Sequence, residues 1–359
     1  MSLGTAPGLS FQLKLCLINF LGVCFLSFLH ITSTRSLSST MIPTEMSNYH
    51  PLQLVQPSQE EDSGSLSLRQ AQPQHLQEQP KLADGCYHVF LDLGANIGVH
   101  GRFLFEPTQY PNATTAQRIF RQEWGDERDN RDICVFAFEP NPSQHAKIQA
   151  KADAYAALGW RYTLVPHGVS DEDSVIHFYR RGDEARSEWG FNALNSKIKN
   201  GKKDAIKVEV PVIRLSSWIA QHVQDRVLPT TVYGNYQHIP NKDGIVGGPK
   251  VVAKMDIEGM EFRVLPDLLY SGVFCRNLDF VFGEMHGHKR WYPMELPNGV
   301  TLHDGTEGLA YIRAFTRAIQ ANPSCQTRFV EDDEEAYLLD GIPLPVPGQY
   351  DTKMHPSKH

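Results

Sequence analysis

HVFLDLGANIG, residues 88–98, is the stretch on which the fold turns. Its first six residues are mostly apolar, aromatic or β-branched, the composition of a short buried strand, and an acid, Asp92, stands near its end. Gly94 and Gly98 follow at once. A strand, a tight glycine turn and then a helix bring backbone close to whatever the turn faces.

The same punctuation recurs downstream. Runs 133–139 (ICVFAFE), 251–257 (VVAKMDI) and 278–284 (LDFVFGE) read as further buried strands, with 161–166, 174–179 and 206–213 between them. Helical stretches are expected at 142–158, 216–222 and 306–322. In the last, Leu309, Ile312, Phe315 and Ile319 recur at helical spacing opposite Arg313 and Arg317. Asp304 and Glu307 form a capping box at its start. Residues 327–330 and 336–339 read as an antiparallel pair of strands. Strands alternating with helices predict one α/β domain over 81–345, its mostly parallel sheet covered on both faces. The stretch 224–249 is polar, Gly-rich and aperiodic, and reads as an insertion or a mobile loop.

Composition narrows the function classes. Hydrophobic residues at 41% exclude a wholly disordered chain, and a net charge of −7 leaves no basic excess for nucleic acid. Six cysteines without a C-x-x-C pair argue against structural zinc. Cys86, Cys275 and Cys325 have the means for one disulfide among them, while Cys134, in a strand-like run, reads as a buried thiol. Asn112-Ala-Thr, in a polar loop, is a glycosylation acceptor sequence.

The amino-terminal third is different in kind. After a short tail (1–14), residues 15–31 (LCLINFLGVCFLSFLHI) read as an uncleaved signal anchor in preference to a cleaved signal peptide. Residues 32–80 are rich in Ser, Gln, Pro and Thr and read as a disordered stem; 346–359 read as a disordered tail. That order of parts predicts a single-pass type II protein of the secretory-pathway membrane, in the Golgi or endoplasmic reticulum, or a secreted one if cleaved.

Three motifs carry chemistry. In the first, the spacing is G-x-x-x-G, with Asn96 where a dinucleotide fingerprint has its second glycine; the close approach a pyrophosphate needs is missing, which disfavours a nicotinamide cofactor. S-adenosylmethionine has no phosphate, and its amino-acid end suits Asp92 and the turn of Gly94, Ala95, Asn96 and Gly98. In the second, AFEPNP (137–142), Glu139 is placed to accept two hydrogen bonds from a ribose diol, and Pro140 and Pro142 stiffen the turn. The gap from Asp92 to Glu139 is more than twice the usual ~20 residues, which places an insertion around 107–130.

The third, KMDIEGME (254–261), sets Asp256, Glu258 and Glu261 at the end of a buried strand, costly unless they bind something or face a cleft. Glu258 and Glu261 are expected to share one helix face, and Pro266 to break that helix. Beyond the next strand, FGEMHGHKRWY (282–292) offers Glu284 and His286 as general bases, and Trp291 and Tyr292 to stack on a sugar or other flat acceptor. Asp256, Glu258, Glu284 and His286 are also hard ligands, but nothing in their spacing demands a cation, and no metal is assigned.

Together, DLGANIG (92–98), FEPNP (138–142) and KMDIEGMEFRVL (254–265) resemble the FkbM-type family of S-adenosylmethionine-dependent methyltransferases, over about residues 85–340. The stretches HGVSDEDSVIHF (167–178) and VPVIRLSSWI (210–219) are similar to its pattern too. The resemblance implies a Rossmann-like class I fold, a seven-stranded sheet closed by an antiparallel carboxy-terminal strand pair. It implies Asp92, Gly94, Asn96 and Gly98 at the methionine end of the cofactor, Glu139 on its ribose and Asp256 beside the sulfonium. Asp256, Glu258, Glu284 and His286 are then the catalytic candidates, with Glu261, Trp291 and Tyr292 toward the substrate. The expected activity is O-methylation of a glycan, glycolipid or other secretory-pathway hydroxyl. The alternative is a non-catalytic, membrane-tethered binding module on the same fold.

Overall fold

The computed structural model describes residues 79–181, 205–286, 294–295, 299–337 and 340–348. A six-stranded sheet forms the centre: β1 (His88–Leu93), β2 (Ile133–Phe138), β3 (Arg161–Val165), β7 (Val251–Met255), β8 (Phe280–Gly283) and β11 (Arg328–Glu331). Its order is β11-β8-β7-β1-β2-β3, and every pairing is parallel. Beside it, β4 (Gly168–Ser170), β5 (Ser174–Arg181) and β6 (Ala205–Arg214) make a small sheet in the order β4-β6-β5. β9 (Met294–Glu295) and β10 (Thr301–Leu302) form a short antiparallel pair.

Strand alternation sorts the core onto two faces. Val89, Leu91, Leu93, Ala253, Met255 and Val281 pack on one side, under α4 (Leu215–His222), α5 (Glu261–Tyr270), α6 (Val273–Asn277) and α7 (Gly305–Gln320). Phe90, Val135, Val252 and Phe282 pack on the other, under α1 (Val99–Phe105), α2 (Thr114–Trp124) and α3 (Pro142–Ala156). Helices on both faces of a parallel sheet are the α/β architecture read from the sequence. Asp92 and Lys254, directly opposite one another in the ladder, therefore share the α1–α3 face.

Two helix starts follow their sequence signals. The Asn141 side chain accepts from the Ser143 N–H at the head of α3, with Pro142 in its first turn. Asp304 accepts from the N–H groups of Thr306 and Glu307 at the head of α7; Glu307 reaches back to the His303 N–H, one residue before the box partner expected.

Other expectations are corrected. β11 pairs parallel to β8, so the expected antiparallel carboxy-terminal pair and seventh strand are not found among the described residues. The α7 crossover carries the chain back to the end of the sheet where β8 begins, and a strand entering there runs parallel. Ala336 and Tyr337 lie in a turn; 338–339 lie outside the described residues. α5 runs unbroken through Pro266. A proline there costs about 3 kcal/mol, whereas Phe262, Val264, Leu265 and Leu268 are all fully buried, each worth about 1.5–3 kcal/mol. Burial wins. Cys134 is no free thiol: it is bonded to Cys86, and Cys275 to Cys325. Cys86 lies two residues before β1 and Cys134 near the start of neighbouring β2, with Cα atoms 5.6 Å apart. Closing loops of 48 and 50 residues, each bridge removes about 4 kcal/mol of unfolded-state entropy on the chain-entropy model.

The 224–249 stretch is packed rather than loose. Tyr236 is buried, its hydroxyl donates to Asp132, and Arg226 donates to the carbonyls of Cys86 and Tyr87. These contacts lie at the amino ends of β1 and β2, away from the carboxyl ends where ligands bind such sheets. The sequon residue Asn112 is exposed, as a glycosylation site requires.

Among the described residues no helix is long and apolar enough to cross a membrane. The 15–31 run and all but the last two residues of the 32–80 stem lie outside them, and the membrane anchor and type II placement are set aside.

One buried network ties the carboxy-terminal segment to α1. Arg102, 1% exposed, makes two hydrogen bonds to Glu106 (2.8 and 2.9 Å) and two to Asp340 (3.1 and 2.9 Å). It also donates to the carbonyls of Ile342 and Pro343. Tyr155 donates to Glu106 and Tyr110 to Asp340.

Candidate functional site

The acidic strand ends converge at one edge of the sheet because β1, β2, β7 and β8 are parallel neighbours. The loop after β1 is sewn to both flanking strands. The N–H groups of Gly94 and Ala95 donate to the Phe138 carbonyl at the end of β2, and the Asp256 N–H donates to the Leu93 carbonyl. Gly94 has φ +76, and a Cβ there would meet the Asp256 carbonyl oxygen at 1.9 Å. Only glycine fits.

Glu139 is held by the backbone. Its Oε2 accepts from the Asn96 N–H at 2.6 Å and its Oε1 from the Asn141 N–H at 2.7 Å. Burial pushes its carboxyl up to about 8, against the pull of those two donors. Each carboxylate oxygen keeps a second lone pair for a further donor.

A cleft of about 570 Å³, its open mouth included, lies over this loop. It is lined by Gly94 and the polar residues Asn96, Glu139, Asp256 and Glu258, together with the apolar Phe138, Pro140, Val169, Phe178, Ile257 and Met260. Gly94, Asn96, Glu139 and Pro140, four of the expected cofactor-site residues, line the cleft. Ala95, Gly98 and Asp92 do not line it. Ala95 is buried in the α1–α3 core, and Gly98 is needed by packing, since a Cβ there would meet the Tyr162 hydroxyl at 2.6 Å. Asp92 is fully buried, neither oxygen having a hydrogen-bond partner among the described residues, and burial pushes its carboxyl up. Val169 and Phe178 fall in the HGVSDEDSVIHF stretch, but no signal there marked them as cleft residues; β4 and β5 bring them in.

Beside the cleft, carboxylates gather around one imidazole. His286 Nε2 lies 3.6 Å from Asp256 Oδ1, 3.7 Å from Glu258 Oε2 and 3.7 Å from Glu284 Oε2. Its Nδ1 lies 2.9 Å from Glu261 Oε1. Lys254, buried, donates to Asp256 Oδ2 at 2.9 Å.

This geometry revises four assignments. Glu261 is fully buried at the head of α5, where it also accepts from the Ile257 N–H, so it positions His286 and does not face substrate. Glu258 lies before that helix at φ 55, so the two share no helix face. His286 is not a base at neutral pH. Burial works against its charge, but the Glu261 contact and the neighbouring Glu258 and Asp256 overrule it and hold the imidazolium up to about 10. Glu258 is better poised: burial, then crowding by Asp256, Glu261 and Glu284, against the opposing His286, pushes its carboxyl up to about 7. Trp291 and Tyr292 lie outside the described residues.

Comparisons with family models, with curated proteins and with solved structures return no match.

Proposed function

We propose that this chain is an FkbM-type methyltransferase that binds S-adenosylmethionine in the cleft over β1 and β2 and methylates an oxygen nucleophile. The observation that carries the reading is Glu139: a buried carboxylate, fixed by two backbone donors, lining a cleft of mixed polar and apolar residues. That suits a ligand with a ribose diol, an apolar base and a charged amino-acid end. The glycine-cradled turn and the buried Asn96 Oδ1, without a hydrogen-bond partner among the described residues, fit the same ligand.

Bound there, S-adenosylmethionine supplies a methyl carbon on positive sulfur, the new C–O bond forming as the C–S bond breaks with its electron pair left on sulfur. Glu139 holds the ribose hydroxyls, and the Gly94–Asn96 turn faces the amino-acid end. Asp256, on the cleft wall, sets a negative charge near the reacting centre. Glu258, the lining carboxylate with its proton affinity near neutrality, takes the acceptor's proton.

Calorimetry of the intact chain tests the cofactor. Micromolar binding of S-adenosylmethionine is expected, with none of NADH. Glu139→Ala should weaken it about 100-fold, the loss of two hydrogen bonds to the ribose. A folded chain that binds no S-adenosylmethionine removes the reading.

The base has its own signature. Glu258 accepts a proton only when ionised, so the transfer rate should rise with pH up to about 7 and level off above it. Glu258→Gln should flatten that limb and cost about 10²- to 10⁴-fold in rate. An unchanged pH profile in the variant would move the base elsewhere.

A further inference from the structure

We infer that Asp256, Glu284 and His286 hold a divalent first-row transition-metal cation of the Mn²⁺ type beside the cleft. One donor atom from each lies within 4.8 Å of the others. Ligands at about 2.1–2.4 Å from one ion are at most about 4.8 Å apart, so a single ion spans the set. The separations from His286 Nε2 to Asp256 Oδ1 and to Glu284 Oε2, 3.6 and 3.7 Å, are too long for direct hydrogen bonds and suit donors sharing an ion.

The surroundings orient these donors from outside the set. Glu261, fully buried on α5, engages His286 Nδ1 and so turns Nε2 toward the two carboxylates, where a bound ion takes the place of the Nε2 proton and releases it to solvent. A carboxylate behind a histidine is the usual support of an imidazole ligand. Lys254 occupies Asp256 Oδ2 and leaves Oδ1 facing the imidazole. A separate observation points the same way. Asp92, fully buried with neither oxygen hydrogen-bonded among the described residues, lies near enough to Asp256 for their charges to oppose. Lys254 and His100 offset part of the Asp92 charge, while Asp256, Glu258, Glu261 and Glu284, four acids around His286 with one lysine, leave an excess of acids over bases that favours a cation. Two carboxylates with one imidazole suit Mn²⁺ over the all-oxygen preference of Ca²⁺ and Mg²⁺.

The ion's task would be to orient and acidify an acceptor hydroxyl next to Glu258, and that role rests on the methyl-transfer reading. The site itself does not, and its test needs no methyl donor. Calorimetry and electron paramagnetic resonance of the full chain with Mn²⁺ alone should show one bound ion. Electron spin echo modulation should show a directly coordinated imidazole nitrogen in the unsubstituted protein. Glu284→Gln and His286→Gln should abolish binding, and Glu261→Gln should weaken it about tenfold. Glu139→Ala should leave Mn²⁺ binding intact while losing S-adenosylmethionine, which separates a failed metal site from a failed cofactor site. No Mn²⁺ binding, no nitrogen modulation, or binding unchanged in both Glu284→Gln and His286→Gln would overturn the inference.

Discussion

Gly94→Ala should abolish S-adenosylmethionine binding and cost about 3 kcal/mol of stability. The added Cβ would sit 1.9 Å from the Asp256 carbonyl oxygen and 2.9 Å from its carbon. Both are backbone atoms, so no side chain can swing away. The turn after β1 must lift off the end of β7, carrying the Asn96 N–H away from Glu139, which loses one of its two fixing donors. Gly159→Ala is the control: it has the same φ, +76, with nothing within 4 Å of the new Cβ. It should pay only the left-handed backbone cost of about 1–2 kcal/mol and bind normally. Calorimetry and urea unfolding of the two variants decide the matter. Wild-type affinity in Gly94→Ala would mean that this turn does not shape the ligand site.

Arg102→Met is expected to be the more destabilising change, by about 3–5 kcal/mol in urea unfolding. The guanidinium is bidentate to Glu106 through Nε and Nη2, reaches both oxygens of Asp340 from Nη1, and is almost wholly buried. Methionine fills much of its volume but leaves two buried carboxylates without its charge; Asp340 then keeps the Tyr110 hydroxyl and the Ile342 N–H as donors and Lys151 at 3.8 Å. Arg102→Lys should rescue little, because an ammonium cannot form the Glu106 fork and at the same time reach Asp340 and the Ile342 and Pro343 carbonyls. Adding Glu106→Gln to Arg102→Met should recover part of the loss, since the penalty is that of buried carboxylate charge deprived of its guanidinium. A cost under about 1 kcal/mol for Arg102→Met would show that the network holds nothing.

Local pattern carried the sheet because each strand's apolar run is a property of its own residues. The run from His88 to Leu93 reads as a strand from composition alone, and the acids at the ends of β1, β2 and β7 mark the carboxyl edge. Long-range pairing is what local pattern lacks. Nothing near Cys134 says that Cys86 lies within bonding reach, because that depends on β1 and β2 being adjacent. Likewise Glu261 looks like a substrate contact until α5 sets it against His286, 25 residues on in the chain. Pro266 misled for an energetic reason: a helix breaker was weighed without the four buried neighbours that outweigh it. His286 looked like a base because its ordinary titration range is near neutral; three of its four carboxylate neighbours, Asp256, Glu258 and Glu261, come from another segment.

The two cysteine bridges have a consequence for synthesis. In the described residues the four cysteines pair in the order in which they leave the ribosome, Cys86 with Cys134 and then Cys275 with Cys325. Neither bridge encloses or crosses the other. The first can be oxidised while β7 is still untranslated, and no later cysteine must displace a partner already taken. Such sequential pairing lets an oxidase acting on the nascent chain reach the native connectivity without a reshuffling step.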